Sequence, residues 1–259
     1  MDIKKEKLED FKTAISSTVK SLSNLKKIEV SFGNQASKSH QNLIKLPDLN
    51  NSGNKLNFEE IRAVADSKSL RLRFSDIKVF KKYEPEGNIS KKLYEISEKI
   101  RCEKIGINYF SGVKKNIEKF YKQRISSLDL KSSEDKMIES FENFLRTKFL
   151  DFKNETEIEK KLKSYKKDIN NQFSSKISEL KESAIDQEKF NSIISKIISE
   201  MSLDENIDEE EKRDEENENN DKQSKPQDIE RKTKETEEKN EEMSIESGIP
   251  DLENETRDS

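Results

Sequence analysis

The chain has 259 residues, of which 40% are charged and 30% hydrophobic, and its formal net charge is −4. Ordinary globular domains carry about 45–50% apolar residues, so a packed core must be confined to part of this sequence. The single cysteine excludes an internal disulfide and a multi-cysteine zinc site, and the single histidine excludes a multi-histidine metal centre.

The N-terminus, MDIKKEKLED, is charged throughout and is not a secretory signal. Leu8, Phe11, Ile15, Val19 and Leu22 share one helical face and predict a helix over 6–25. In LKKIEVSFG, Ile28, Val30 and Phe32 alternate, which predicts a short strand ending at Gly33. Residues 33–57 are rich in Asn, Ser, Gly and Lys and read as a long loop in which IKLPDL runs extended. Asn57 and Glu60 have capping-box spacing, and Ile61, Val64, Ala65 and Leu72 carry a helical stripe onward. Leu70, Leu72 and Phe74 also alternate with Arg71 and Arg73, as a strand would; the upstream cap favours helix.

Glu84-Pro85-Glu86-Gly87 is a turn signal, after which Asn88 or Ser90 can cap one long helix over 90–124. Gly106 and Gly112 fall inside it, where each is less favourable than alanine by about 1 kcal/mol, so they imply close packing or a kink. Met137, Ile138, Phe141, Phe144 and Leu145 predict a helix over 134–150. The stripe Ile158, Leu162, Tyr165, Ile169, Phe173, Ile177, Leu180 and Ala184 predicts another over 155–184. Asp186 opens a last helix with Phe190, Ile193, Ile194, Ile197, Ile198 and Met201 inward.

The charge is divided unequally. Residues 204–259 hold 23 acidic and 9 basic residues, whereas residues 1–203 hold 31 acidic and 41 basic. The acidic segment has six hydrophobic residues (Ile207, Ile229, Met243, Ile245, Ile249 and Leu252) and no aromatic. That is too little apolar surface to offset an ordering entropy of about 1–2 kcal/mol per residue. The expected organisation is a mainly α, basic helical domain over 1–203 with at most a small N-terminal β element, then a disordered acidic tail over 204–259. No apolar run approaches the roughly 20 residues that cross a bilayer, so the expectation is a soluble, cytoplasmic protein with no membrane partner.

Signatures of chemistry are sparse. The GxxxxGK[ST] phosphate loop and the HExxH zinc motif are absent. His40 lies in the polar loop without a companion carboxylate or cysteine cluster, and reads as a solvated residue. Cys102 follows the apolar Ile100 on a helix and reads as a small buried hydrophobe. ADSKSL, residues 65–70, looks like the Asp-x-Ser-x-Ser of von Willebrand A-type metal sites. Its serines stand one and three places after Asp66 instead of two and four, so the register is wrong. No catalytic, cofactor-binding or metal-binding residue is assigned. The lysines alternate with glutamates, as in EISEKIRCEK, which fits solvated helix faces and makes nucleic acid an unfavoured partner.

The pieces RAVADSKSLRLRFSD (62–76), PEG (85–87), IRCEKIG (100–106) and FSGVKKN (110–116) appear in an order that resembles the T subunit of aerobic cobaltochelatase, the CobT family. IEVSF upstream and AIDQEKFNSIISKIISEMSLDE downstream extend the resemblance over most of 1–210. Where that family often has histidines around the aspartate after its Leu-Arg-Leu-Arg run, this chain has Ser75 and Phe80, so no metal-handling role is carried over to the segment. The family also continues past an acidic linker into a von Willebrand A-type domain, and this sequence stops within the linker, which implies a truncated product, half of a split gene or a shortened member.

The resemblance implies an accessory subunit without catalytic residues of its own. It would act with an AAA+ ATPase S subunit and a large tetrapyrrole-binding N subunit to insert cobalt into hydrogenobyrinic acid a,c-diamide during cobalamin synthesis. ATP, magnesium and cobalt are then implied for the complex and no cofactor for this chain. Two other readings stay open: a helical scaffold that binds nucleic acid or protein through its basic body, and a remnant with no chelatase role. Arg62, Asp66, Arg71, Arg73, Asp76, Arg101, Glu103 and Asn116 form the candidate cluster, either a buried network or a partner-docking surface. Guanidinium matches carboxylate bidentately, so the clustered arginines are expected to pair with Asp66, Asp76 and Glu103 inside the fold.

Overall fold

The computed structural model describes residues 3–33, 43–47, 58–127, 132–152, 169 and 173–201. His40, Asn57, the residues Ile158, Leu162 and Tyr165 of the expected 155–184 stripe, and the acidic tail lie outside them. Among the described residues, the architecture is a set of packed helices with one two-stranded sheet.

Helix α1 (Ile3–Ser23) buries Ile15, Val19 and Leu22, as its spacing requires. The chain then forms β1 (Glu29–Phe32), and Gly33 at φ 65° turns it away, its N–H donating to the Leu46 carbonyl at 2.8 Å. The expected loop contains a second strand, β2 (Leu43–Leu46), parallel to β1 with Glu29 opposite Leu43 and Phe32 opposite Leu46. Ile44 and Leu46 point inward with Ile28 and Phe32, so the strand is held by an apolar face that the polar composition of 33–57 masked.

Helix α2 (Phe58–Phe74) settles the ambiguity of the LRLRF run as helix. It is buried on more than one side, which explains the mixed signal. Ile61 and Ala65 join α1 and the sheet in a small core, while Leu70 enters a second, larger one. Asp76 caps α3 (Ile77–Lys82) by accepting from the Lys78 amide at 2.7 Å. Helix α4 (Asn88–Tyr109) starts after Gly87, which takes φ 87°, and no side chain caps it; Asn88 and Ser90 lie within the helix.

The single helix expected over 90–124 is two. Phe110 is extended at φ −128° and ψ 102°, and α5 (Ser111–Ser127) begins after it. A straight rod could not keep its apolar stripe against α2; the break lets both α4 and α5 pack on that helix. Helix α6 (Ser133–Phe149), capped by Ser132, packs on α4. The stripe expected over 155–184 is also interrupted, by an exposed turn at Ser174–Lys176, before α7 (Ile177–Glu182). Phe173 and Leu180 are both fully buried on either side, so the turn keeps the apolar register while leaving Ser174 and Ser175 in solvent. A 3-10 turn, Ser183–Ile185, leads to Asp186, which caps α8 (Gln187–Glu200). No helix among the described residues is long and apolar enough to cross a membrane.

The two glycines of 90–124 play different parts. A methyl on Gly106 would overlap the side chain of Leu70, which has no exposed surface to retreat to, whereas a methyl on Gly112 meets nothing. Gly106 is therefore a point of close approach between α4 and α2. Gly106→Ala is expected to destabilise by about 1–3 kcal/mol through overpacking, in spite of its helix propensity. Gly112→Ala is expected to stabilise by about 0.4–1 kcal/mol. Urea denaturation of the two variants checks the opposite signs.

Candidate functional site: a buried charge ladder

The segments RAVADSKSL and IRCEKIG meet face to face where α2 crosses α4. Each polar side chain of ADSKSL has its own partner. Asp66 accepts from the Asn116 amide nitrogen of α5 at 2.8 Å, Ser67 donates to Glu103 Oε1 at 2.6 Å, and Ser69 donates to the Ala65 carbonyl of its own helix at 2.6 Å. Three oxygens aimed at three partners do not converge on a cation. Among the described residues, no group of three or more His, Cys, Asp or Glu side chains is arranged to hold one.

From Glu103 the charges continue as a ladder. Arg146 of α6 donates to Glu103 Oε2 at 2.7 Å and, through Nε, to Glu142 Oε1 at 2.9 Å. Glu142 Oε2 accepts from Arg124 of α5 at 2.7 Å, and Arg124 grips Glu139 with two bonds of 2.7 and 2.9 Å. The Tyr121 ring lies beneath both guanidiniums, 4.7 Å from Arg146 and 5.3 Å from Arg124. One connected set of charges thus touches α2, α4, α5 and α6.

A second buried arginine holds the opposite side of α4. Arg101 pairs with Glu98 through two bonds of 2.8 Å, donates to the Ala184 carbonyl at 2.9 Å, and reaches the Phe74 carbonyl at the C-terminus of α2. Helix C-termini leave carbonyls without intrahelical donors, and Arg101 serves one of them while tying the turn before α8 to α4. Cys102 sits beside this pair with no exposed surface; burial, with the Glu98 charge adding to it, pushes its thiol far above the ordinary range, which makes it an inert part of the packing.

Electrostatics separates the ladder's two α6 carboxylates. Burial acts to raise the Glu142 carboxyl, but Arg124, Arg146 and Lys99 outweigh it and hold the group well below the usual range. Glu139 goes the other way, raised by burial and by the Glu142 charge beyond what Arg124 returns. Asp66 is raised by burial, partly offset by the Asn116 hydrogen bond and by Arg62. Burial also works against the charges of Arg124 and Arg146, and their carboxylate partners reverse it.

Of the eight residues singled out from sequence, four are drawn into the helix junction: Asp66, Arg101, Glu103 and Asn116. Arg62 is exposed and acts on Asp66 only as a nearby charge. The expected bidentate pairing of Arg71 and Arg73 with Asp66, Asp76 and Glu103 is replaced by other contacts. Arg71 lies over the Phe80 ring at 5.1 Å; Arg73 lies over Phe74 and Phe110 and donates to the Leu22 carbonyl at 3.2 Å. Asp76 is an exposed helix cap whose backbone N–H donates to Gln187. Sequence reasoning missed Ser67, Glu98, Arg124, Glu139, Glu142 and Arg146. The available signal was Glu139, Glu142 and Arg146, spaced three and four apart, a polar stripe that reads as a solvated face unless its burial is known.

Truncating a buried pair leaves its partner charged and unpaired, which typically costs about 3–5 kcal/mol. Arg146→Met is expected to lose that much in urea denaturation, because buried Glu103 loses its guanidinium partner and Glu142 loses one of its two. Arg71→Ala removes a cation–π contact worth about 0.5–1 kcal/mol and should stay near that value. Asp66 gives a pH signature. Its folded pKa is raised, so its ionised form weighs against the fold, and protonation as pH falls relieves the penalty until the unfolded value near ~3.9 is passed. Asp66→Asn keeps an oxygen acceptor for Asn116. It is expected to raise the Tm at pH 7, with an advantage that shrinks as pH falls toward 4, measured by thermal melts across that window.

The sequence matches the family model described as "Cobalamin biosynthesis protein CobT" over residues 5–259. No solved structure matches the chain. The match runs through both cores, the charge ladder and the acidic tail. The chain belongs to the CobT family of cobalamin biosynthesis proteins.

Proposed function

We propose that the chain is the accessory, non-ATPase subunit of an ATP-dependent cobaltochelatase. The observation that carries this reading is the family match over nearly the whole sequence. In this reading an AAA+ ATPase subunit supplies the hydrolysis, with ATP and magnesium bound there. A large subunit holds the tetrapyrrole, hydrogenobyrinic acid a,c-diamide, and cobalt is the substrate inserted into it. This chain contributes no reacting group.

The ladder supports such a role physically. Its buried carboxylates and guanidiniums are spent on one another across helix interfaces, which fixes the relative positions of α2, α4, α5 and α6. A body that transmits an ATPase's motion to a third subunit needs helices that move together, and side chains bonded in this way resist sliding.

Reconstitution tests the proposal. The full chain mixed with the candidate ATPase and large subunit should co-elute with the ATPase in the presence of ATP, and cobalt insertion, followed by the tetrapyrrole absorption change, should require all three. Insertion at an undiminished rate without this chain, or no association with the ATPase with or without nucleotide, overturns it.

A further inference from the structure

The solvent face of α5 carries a concentration of lysines. Ser111, Lys114, Lys115, Glu118, Lys119 and Lys122 line a shallow groove along it, and Lys122 and Gln123 carry the face on into a second groove that ends at Ser126 and Ser127. Lys115, Lys119 and Lys122 recur at helical spacing on the side away from the buried Val113, Ile117, Tyr121 and Ile125, and the half-buried Lys114 flanks that buried face, so the four are held in place by a helix anchored to the core. The local acids are few. Lys119 pairs with Glu59 in an exposed contact and Lys122 with Glu118 in a half-buried one, and exposed pairs of this kind are weak and readily exchanged.

The chain carries a matching block of charge. Between Asp204 and Glu218 there are ten acidic residues and two basic ones, Lys212 and Arg213. The rest of the tail is much more balanced, with 13 acidic and seven basic residues over 219–259. The block follows closely on Met201, which is buried in the same core that takes Val113 and Ile117 of α5. A domain of this size has a radius of gyration of about 16 Å. Fifteen residues of extended chain span up to about 50 Å, so the block can reach α5 from the end of α8. Tethering raises its effective concentration at the body to the millimolar range, enough for a weak, charge-driven contact to be occupied.

We propose that the solvent face of α5 is a docking surface for acidic extended peptide, and that its occupant is this chain's own block Asp204–Glu218. The carboxylates of the block replace Glu118 and Glu59 as partners of Lys122 and Lys119 and supply partners to Lys114 and Lys115. The docked block covers a basic face that would otherwise be open to other polyanions.

The test uses the full chain. A nitroxide is placed at Asn217→Cys, the native Cys102 being buried, and amide broadening is read by NMR. At about 20 mM salt, where the Debye length exceeds ~20 Å, the amides of α5 from Lys114 to Ser126 should be broadened well above those near Lys12 and Lys20 of α1. The broadening should disappear at 0.5 M salt and in Lys114→Gln/Lys115→Gln, with the amides of buried residues unchanged as proof of folding. A decaglutamate peptide gives a second readout. Replacing the ten acidic residues of 204–218 with Asn and Gln should tighten its binding at least about fivefold, the factor expected if the block covers the face about 80% of the time. Even broadening of α1 and α5, broadening that survives removal of the two lysine charges, or unchanged decaglutamate affinity overturns the proposal.

Discussion

Arg146 donates to Glu103 on one side and to Glu142 on the other, with 3% of its side chain exposed, and the placement of four helices follows from that arrangement. Moving α6 along its axis by a single residue would withdraw the guanidinium from Glu103 on α4 and pull Glu139 and Glu142 away from Arg124 on α5. Apolar side chains tolerate such a slip, because one methylene contact can replace another. A charged ladder does not. Buried ion pairs are often no more stabilising than well-packed hydrophobic residues of equal volume, so its contribution here lies in register more than in net stability. Chemistry on the two faces of α4 divides the work: Glu103 and Arg146 set the position of α6, and Glu98 and Arg101 set the end of α2 and the turn before α8.

Helix α2 is the other constraint. It takes part in two cores, and apart from Ile61 and Leu70 the side chains it buries are small or hydrogen-bonded. Ala63, Ala65, Ser67 and Ser69 are all buried, and the two serines bring their own hydrogen-bond acceptors within reach. Leu70 fills the space opposite Gly106, so the absence of a side chain on α4 and the presence of one on α2 are a single packing solution. The same demand explains the broken helix at Phe110. Two helices meeting at an angle cover more of α2 than one straight helix, and the ring of Phe110 is used at the corner, under Arg73.

Legibility in the sequence followed physical rules. The apolar stripes of α1, α6 and α8 were readable because their buried apolar residues recur at helical spacing. Helix α2 was ambiguous because its burial is not one-sided, and β2 was hidden because four residues of strand are a small signal within a polar stretch. Within the candidate cluster, Asp66, Arg101, Glu103 and Asn116 were found because uncommon residue types crowd into short pieces. Their partners were not, because Ser67, Arg124, Glu142 and Arg146 look like ordinary polar positions until the fold removes water from them. Arginine density marked the right region for the wrong reason: Arg71 and Arg73 pack on aromatic rings, Asp66 is served by Asn116, and Glu103 is served by Arg146 of α6.

The ladder also bears on how the body could respond to acid. Glu142 is held ionised by two guanidiniums, so its contribution is fully present above the unfolded value near ~4.3 and is lost only as pH falls well below it. Glu139, three residues earlier on the same helix, is raised, so it takes up a proton first and does so without breaking the Glu103–Arg146–Glu142 part of the chain of bonds. The outer rung therefore loosens before the inner one. Arg124 would keep Glu142 as a partner while releasing Glu139, and α5 would stay attached to α6 through the remaining bond. A body built this way keeps its helix positions over the pH range of ordinary metabolism and leaves any adjustable behaviour to its surface, where the exposed lysines of α5 are free to exchange partners without disturbing the register beneath them.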